Sequence, residues 1–492
     1  MTGKTPADRF RTIDGGREDH SPATRISGPD APHMTAPELA ADMAELYALG
    51  LVQDLRPEAL RDPHCALRLD GTTRLTMHEL LCELRNLSWF DARSPLVVTS
   101  AAAGDGQDGE ADRRRHMRWN CDGQLTLNSL LRGCVAHFGG NGPVLSSLWE
   151  NDHAAAPTAP QACPERDAPM SDWRNWCAGH SGASVHLPDA APCQPSLVSL
   201  GDRAEALHDM PPARPFHNAA LATLADRTAM DAGLPDGGLW SGQRLLSLMA
   251  EAESLACRFA LFRAGQPDRL PRPAVTAARM TVWLGREERG QAAQGSPYRE
   301  AAEELAAAAP NLLHWVSRAN RARRGPQRFD ASLFLPLARP ERQHLNPSDI
   351  AAHVIVAGAL STLIKACFDT SRRTRLHRVG AHEPVLALED RVDRLASNIA
   401  LLRCVSGGWF PAENHHDLRL GQAIALHLLR ESLEQDNRSA RLSLRDFDGR
   451  MIQICSHPRH FGRGHAELRS GGESIAWPQE AGHPGAHLTA VV

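Results

Sequence analysis

Three stretches of the chain place a guanidinium or an imidazole where a helix begins or ends. FRAGQPDRLPRPAV follows a long apolar segment and carries Arg263 and Arg272. PERQHLNPSDIAAHVIVAGALSTLIKACFD runs into a second apolar segment and carries His353. LASNIALLRCVSGGWFPAENHHDLRLGQAIALHLL reads as helix, glycine-containing loop and helix, and carries Arg403. Helix ends that converge with arginine forks and an imidazole form an oxyanion site by electrostatics, because donors and positive charge meet at one point. The sequence has no glycine-rich phosphate loop and no Cys-x-x-Cys pair, so neither a nucleotide cradle nor a zinc ribbon is expected, and no metal ligands are assigned.

The elements that must position these groups are helical. Leu39, Met43, Leu46, Leu49 and Leu51 recur near one face of residues 36–55, and residues 76–90 repeat that pattern. Helices are expected over 217–233, closed by Gly233, over 245–265, and over 297–325 with a break at Pro310. Residues 350–369 are apolar almost all round, which predicts a central helix; His353 and Lys365 interrupt it, so it does not read as a membrane span. Residues 389–404 and 417–435 are amphipathic, and 442–454 alternate around Asp448-Gly449, a hairpin pattern. Residues 101–115 read as an exposed loop and 151–215 as a long irregular excursion. The expected fold is all-α: a large helical bundle with a small C-terminal β-hairpin. Its expected division is a flexible tail over 1–36, a helical region with insertions over 37–215, a core carrying the oxyanion site over 216–454, and a tail over 455–492.

Composition narrows the class of function. The 492 residues carry a formal net charge of -4, so no global basic field calls for nucleic acid. Lys4 and Lys365 are the sole lysines among 54 basic residues, a bias that a GC-rich genome explains. Eleven scattered cysteines fit reduced thiols better than a disulfide framework. The first residues, MTGKTPADRFRTIDGG, lack the apolar core of a signal peptide, so a cytoplasmic protein with no membrane partner is the expectation.

The third segment resembles the vanadate-binding segment of the bromoperoxidase-type vanadium-dependent haloperoxidases, L-A-x-N-I-A-x-x-R-x-x-x-G-x-H-x-x-x-D followed by an L-x-L-G-E helix. The second is similar to the H-P-S-Y-P-[SA]-G-H-A segment of that family and the A-G-A-x-x-T-x-L-K-A-F-F-D helix after it. The first is similar to an L-S-L-V-A-E helix that runs to a Lys and then Arg-Pro. Weaker likeness at residues 43–54 and 444–454 extends the resemblance over roughly 37–454, with 95–215 and 275–330 poorly matched. The active-site framework is shared with a superfamily of acid phosphatases. The resemblance implies hydrogen-peroxide-dependent halide oxidation at bound vanadate, with peroxide, halide and a small oxyanion (vanadate or phosphate) as partners, and a homo-oligomer by analogy.

Carried over residue by residue, the resemblance puts Arg272 and Arg403 at the oxyanion arginines and Ala352 where backbone approaches the oxyanion. It puts His353 at the acid–base histidine. The departures fall on one pocket. Ala264 stands at the Lys position, Asn346 at an earlier His, Glu413 at the later Asp, and Trp409 at the axial His. An indole has no lone pair with which to bind a metal or attack phosphorus; its N–H only donates. Trp409 therefore argues against the direct vanadate bond and against a phosphohistidine. Arg263, a residue from the Lys position, is a candidate replacement, but one step along a helix turns a side chain by about 100°. His415 and His416 are candidate substitute ligands. Beside these stand plainer readings: helix-terminal arginines, a core histidine at 353, and a solvated basic face over 318–328.

The readings left open are a haloperoxidase-like protein with weak or lost turnover, a non-catalytic scaffold or binding homologue, and a vanadium-independent enzyme that uses His353 on an oxyanionic substrate.

Overall fold

The computed structural model describes residues 32, 34–91, 107–119, 123–131, 133–135, 146, 199–235, 238–264, 270–287, 297–324, 333–336, 348–370 and 387–478. The described helices, in chain order, are α1 (Ala36–Val52), α2 (Met77–Arg85), α3 (Gln107–His116), α4 (Leu127–Leu130), α5 (Leu200–Asp209) and α6 (Arg214–Ala225). They continue with α7 (Gly242–Ala264), α8 (Pro273–Glu287), α9 (Pro297–Ala308), α10 (Pro310–Arg324), α11 (Ser348–Cys367), α12 (Leu388–Val405) and α13 (Pro411–Asp436). A two-stranded hairpin, β1 (Ala66–Arg68) and β2 (Arg74–Thr76), precedes α2. An antiparallel sheet β3 (Ala440–Arg445), β4 (Met451–His457), β5 (His465–Ser470) and β6 (Glu473–Ile475) follows α13. The protein is mostly helical with a small C-terminal sheet, as the sequence indicates.

α11 is the axis of the bundle. It packs most extensively on α13, then on α7 and α12, and from Ala352 to Phe368 every side chain is buried. A helix apolar on all sides can satisfy its surface only in this position. The α11–α13 crossing is close because it is made of glycine. A Cβ on Gly358 would lie 2.1 Å from Leu418 O, and one on Gly421 2.0 Å from Ile355 O. Near its C-terminal end α11 carries Lys365, whose Nζ reaches the Asp393 carboxylate on α12 and Arg445 O on β3. This ties helix bundle to sheet.

Several expectations need correction. Residues 107–115 of the stretch expected to be an exposed loop belong to α3, and Arg114 and Arg115 are buried. The acidic face of α1 draws in Arg114, whose Nε lies 2.6 Å from Glu38 Oε1, and Arg118 just past the helix, whose Nη2 lies 2.8 Å from Glu45 Oε2; Arg115 instead donates from Nε to Trp89 O at 2.9 Å. The excursion expected over 151–215 includes the regular helix α5, opened by a Ser199–Asp202 capping box; its residues 151–198 lie outside the described residues. The helix expected to run to Gly233 stops at Ala225. Arg227 turns left-handed at φ 55°, and the chain then bonds to the end of α11 through Asp231 N–Cys367 O and Asp369 N–Ala229 O. Gly233 instead permits contact with β3: a Cβ there would lie 1.8 Å from Arg441 O. The sheet continues past residue 454, the expected end of the hairpin, to Ile475. Most of the tail 1–36 lies outside the described residues, as do 325–328 of the basic run; Arg318 of that run pairs with Asp70 at 2.8 Å.

Among the described residues, no helix is long and apolar enough to cross a membrane.

Candidate oxyanion site

The site-bearing loop joins α12 to α13. α12 ends at Val405; Ser406 Oγ donates to Arg403 O at 2.7 Å, and Gly407 N to Cys404 O at 2.8 Å. Gly407 sits at φ 71°, the left-handed conformation with which helices commonly terminate. Phe410 is extended and caps α13, its N–H donating to Glu413 Oε2 at 3.0 Å, and Pro411 takes the first turn, where a missing N–H costs nothing. Ala412 N, another free donor of that turn, reaches Asp42 Oδ2 on α1 at 3.0 Å. Two helices joined by so short a turn fold back on one another. The Trp409 ring therefore lies over the Arg403 guanidinium, 4.2 Å from carbon to ring centroid.

Arg403 is 1% exposed. Its Nη1 donates to Asp417 Oδ2 at 2.8 Å, and the other oxygen of the same carboxylate accepts from Arg263 Nη1 at the end of α7. A single acid thus joins α7, α12 and α13. Burial alone would raise the Asp417 carboxyl, but Arg263 and Arg403 outweigh it and hold it below the usual carboxylate range. Burial lowers Arg403, and Asp417 partly offsets that. The Nε of Arg403 is buried with no acceptor among the described residues.

The other sequence candidates are placed as follows. His353 is buried in α11, with Nε2 2.8 Å from Met210 O; a carbonyl only accepts, so Nε2 carries the proton. Ala352 is buried beside it. Arg272 is half-buried where α8 starts, its carbonyl accepting from Val275 N and Thr276 N. The groups that meet on one acid are Arg403 and Arg263.

His415, one of the two candidate substitute ligands, faces the α1–α3 charge cluster, whereas His416 feels the charges of Arg263 and Asp417. His415 lines a cavity of about 10 Å³, roughly one water, with Glu38, Asp42, Arg114, Arg118 and Cys134. Burial, followed by Arg419, pushes His415 far below its usual pKa; burial, followed by Arg263, brings His416 down to about 4. Among the described residues no group of three or more His, Cys, Asp or Glu side chains is arranged to hold a metal ion.

Sequence reasoning missed two features. One is Asp417, which follows Glu413 by one helical turn and looked like a plain α13 residue. The other is the buried charge cluster between α1 and α3. Its signal was present: Glu38, Asp42 and Glu45 share one helical face, as do Arg114 and Arg118.

No family model matches the chain. It is 25% identical to the vanadium-dependent bromoperoxidase of Corallina officinalis, an alignment covering 88% of this chain and 77% of that protein. The vanadium-dependent bromoperoxidase of Corallina pilulifera aligns to the same extent at the same identity. A solved homohexameric vanadate-dependent bromoperoxidase from Ascophyllum nodosum superposes with a TM-score of 0.58 at 16% identity, covering 92% of this chain and 75% of that one. That likeness speaks for the fold, and the two curated relatives bear out the haloperoxidase resemblance read from the motifs.

Proposed function

We propose that this chain, a relative of the vanadium-dependent bromoperoxidases, keeps the haloperoxidase scaffold while peroxide-dependent halide oxidation at vanadate is weak or lost. The observation that carries this reading is Trp409 lying over Arg403, 4.2 Å from guanidinium carbon to ring centroid. The resemblance puts an axial imidazole at that position, and an indole offers no lone pair to a metal. The pocket residues do not fit the cofactor in a second way. Arg403, expected at the oxyanion, and Arg263, the candidate replacement for the missing Lys, already share the Asp417 carboxylate, which offsets one of their two positive charges and occupies donors that a vanadate oxygen would need. A further anion beside that carboxylate would meet like-charge repulsion in a buried setting. No step through vanadate is derived for this chain.

What remains is a helical body suited to binding or assembly, and self-association by analogy with the homohexameric relative is part of the reading. A vanadium-independent enzyme that uses His353 is the weaker alternative, since that ring commits Nε2 to the Met210 carbonyl.

The test is vanadate calorimetry on the purified wild-type chain, with a peroxide-plus-bromide assay on the same sample. Neither binding nor turnover is expected. Tight binding with turnover would overturn the reading and mean that another group replaces the axial imidazole.

A further inference from the structure

A buried arginine such as Arg403, with the partly buried Arg263 beside it, needs a counter-charge. Here it is supplied from within the chain. The two oxygens of Asp417 are divided between two guanidiniums, Oδ2 to Arg403 and Oδ1 to Arg263, much as two oxygens of a free oxyanion would be. Asp417 is 4% and Arg403 1% exposed, so water screens this pairing poorly. Glu413 adds a second negative influence on Arg403. Trp409 covers the guanidinium, and Arg403 keeps one buried donor, Nε, with no acceptor among the described residues. The arrangement therefore has more donor capacity than Asp417 uses.

We propose that Asp417 is a built-in anion: its carboxylate holds closed an arginine pair that, once the carboxylate is removed, binds a tetrahedral oxyanion of the phosphate or vanadate class. This rests on the reading that the third segment is the counterpart of the oxyanion segment in the relatives. The physical reason is effective concentration. A carboxylate fixed on the next helix competes against any free ion as a tethered ligand does, at an effective concentration of about millimolar or more. Its removal leaves both guanidiniums without the carboxylate they share, Glu413 remaining as the weaker negative influence on Arg403, and an ion from solution that binds only the folded state then raises stability.

The experiment uses the full chain, wild type, Asp417→Ala and Asp417→Asn. The probes are inorganic phosphate and orthovanadate, each against chloride at matched ionic strength, read by thermal unfolding and by calorimetry. The wild type should not distinguish the salts. Both variants should lose stability in chloride and regain part of it in phosphate or vanadate, in proportion to the logarithm of anion concentration, with saturable heat in calorimetry. The two calorimetric arms tell which oxyanion is preferred. A variant that folds only in phosphate or vanadate supports the proposal equally. As a control, adding Arg403→Gln to Asp417→Ala should abolish the response.

Three outcomes would overturn the proposal: folded variants that treat the oxyanions like chloride, variants that fold in no salt, or a response that survives Arg403→Gln. None of them touches the reading of lost turnover, which is tested on the wild type. Tight vanadate binding by the wild type would defeat both.

Discussion

Lys365 Nζ and Asp393 Oδ1 lie 2.8 Å apart with neither side chain exposed to solvent. The ammonium also donates to Arg445 O at 2.7 Å and stands 4.3 Å from the Phe447 ring centroid, so one cation joins α11, α12 and the sheet. Removing one partner strands the other as a buried charge, which costs about 3–5 kcal/mol. Lys365→Met should lose that much in denaturant unfolding. Lys365→Met with Asp393→Leu should regain most of it, since both charges are then gone. A single variant within about 0.5 kcal/mol of wild type would refute this view of the pair.

The glycine crossing makes a second prediction. Gly421→Ala would place a methyl 2.0 Å from Ile355 O, which is backbone and cannot swing aside. Overpacking of this kind costs about 3 kcal/mol or more. Because α13 also carries Asp417, a displaced helix should loosen the Arg263–Asp417–Arg403 contact as well. Denaturant unfolding of Gly421→Ala checks the first effect, and a crystal structure of the variant the second.

His416 predicts a pH dependence. Its pKa is pushed from 6.5 to about 4, chiefly by burial and then by Arg263, against the opposing pull of Asp417 and Glu110; Arg114 adds to the lowering. The unfolded chain therefore binds a proton that the folded chain does not, and stability falls as pH drops from about 6.5 toward 4. At pH 5 the loss is about 2 kcal/mol from this residue. Glu38, Asp42 and Glu45, raised mainly by burial, act with the opposite sign, so the informative quantity is a difference. His416→Gln should lose less stability than wild type between pH 7 and pH 5, by roughly that amount. Parallel pH profiles would show that His416 does not titrate with folding.

Reversing the substitutions is the fourth prediction. Trp409→His with Ala264→Lys should give the chain measurable vanadate affinity by calorimetry. Adding Asp417→Asn should tighten binding by about tenfold or more, because removal of a buried like charge is worth at least about 1.4 kcal/mol. If the triple variant binds no vanadate, these positions are not a decayed vanadate site.

Much of the scaffold was legible because helical periodicity is local. The all-round apolar character of residues 350–369 placed α11 at the centre, and a glycine-containing loop was read between α12 and α13, although the second helix begins at Pro411 and not at the expected 417. The end of α6 was not legible, since nothing in residues 217–233 reveals that Ala229 and Asp231 bond to the end of α11. The same holds for α3: of its three consecutive arginines 113–115, Arg113 is exposed, but Arg114 looks solvated only until Glu38 of α1 is brought against it, and Arg115 until it meets the carbonyls of Ser88 and Trp89.

The sequence by itself determined the helical class, the likeness to the haloperoxidases and the loss of an imidazole at Trp409, because each depends on residue type and short-range order. What Arg403 does instead was decided by tertiary structure alone. Asp417 lies 14 residues from Arg403 across a turn and 154 from Arg263, and no pattern along the chain encodes that they share one carboxylate. The carboxylate is claimed because the fold buries the Arg403 guanidinium where water cannot solvate it and brings the partly buried Arg263 to the same point, and a charge in Arg403's position must find its partner within the fold.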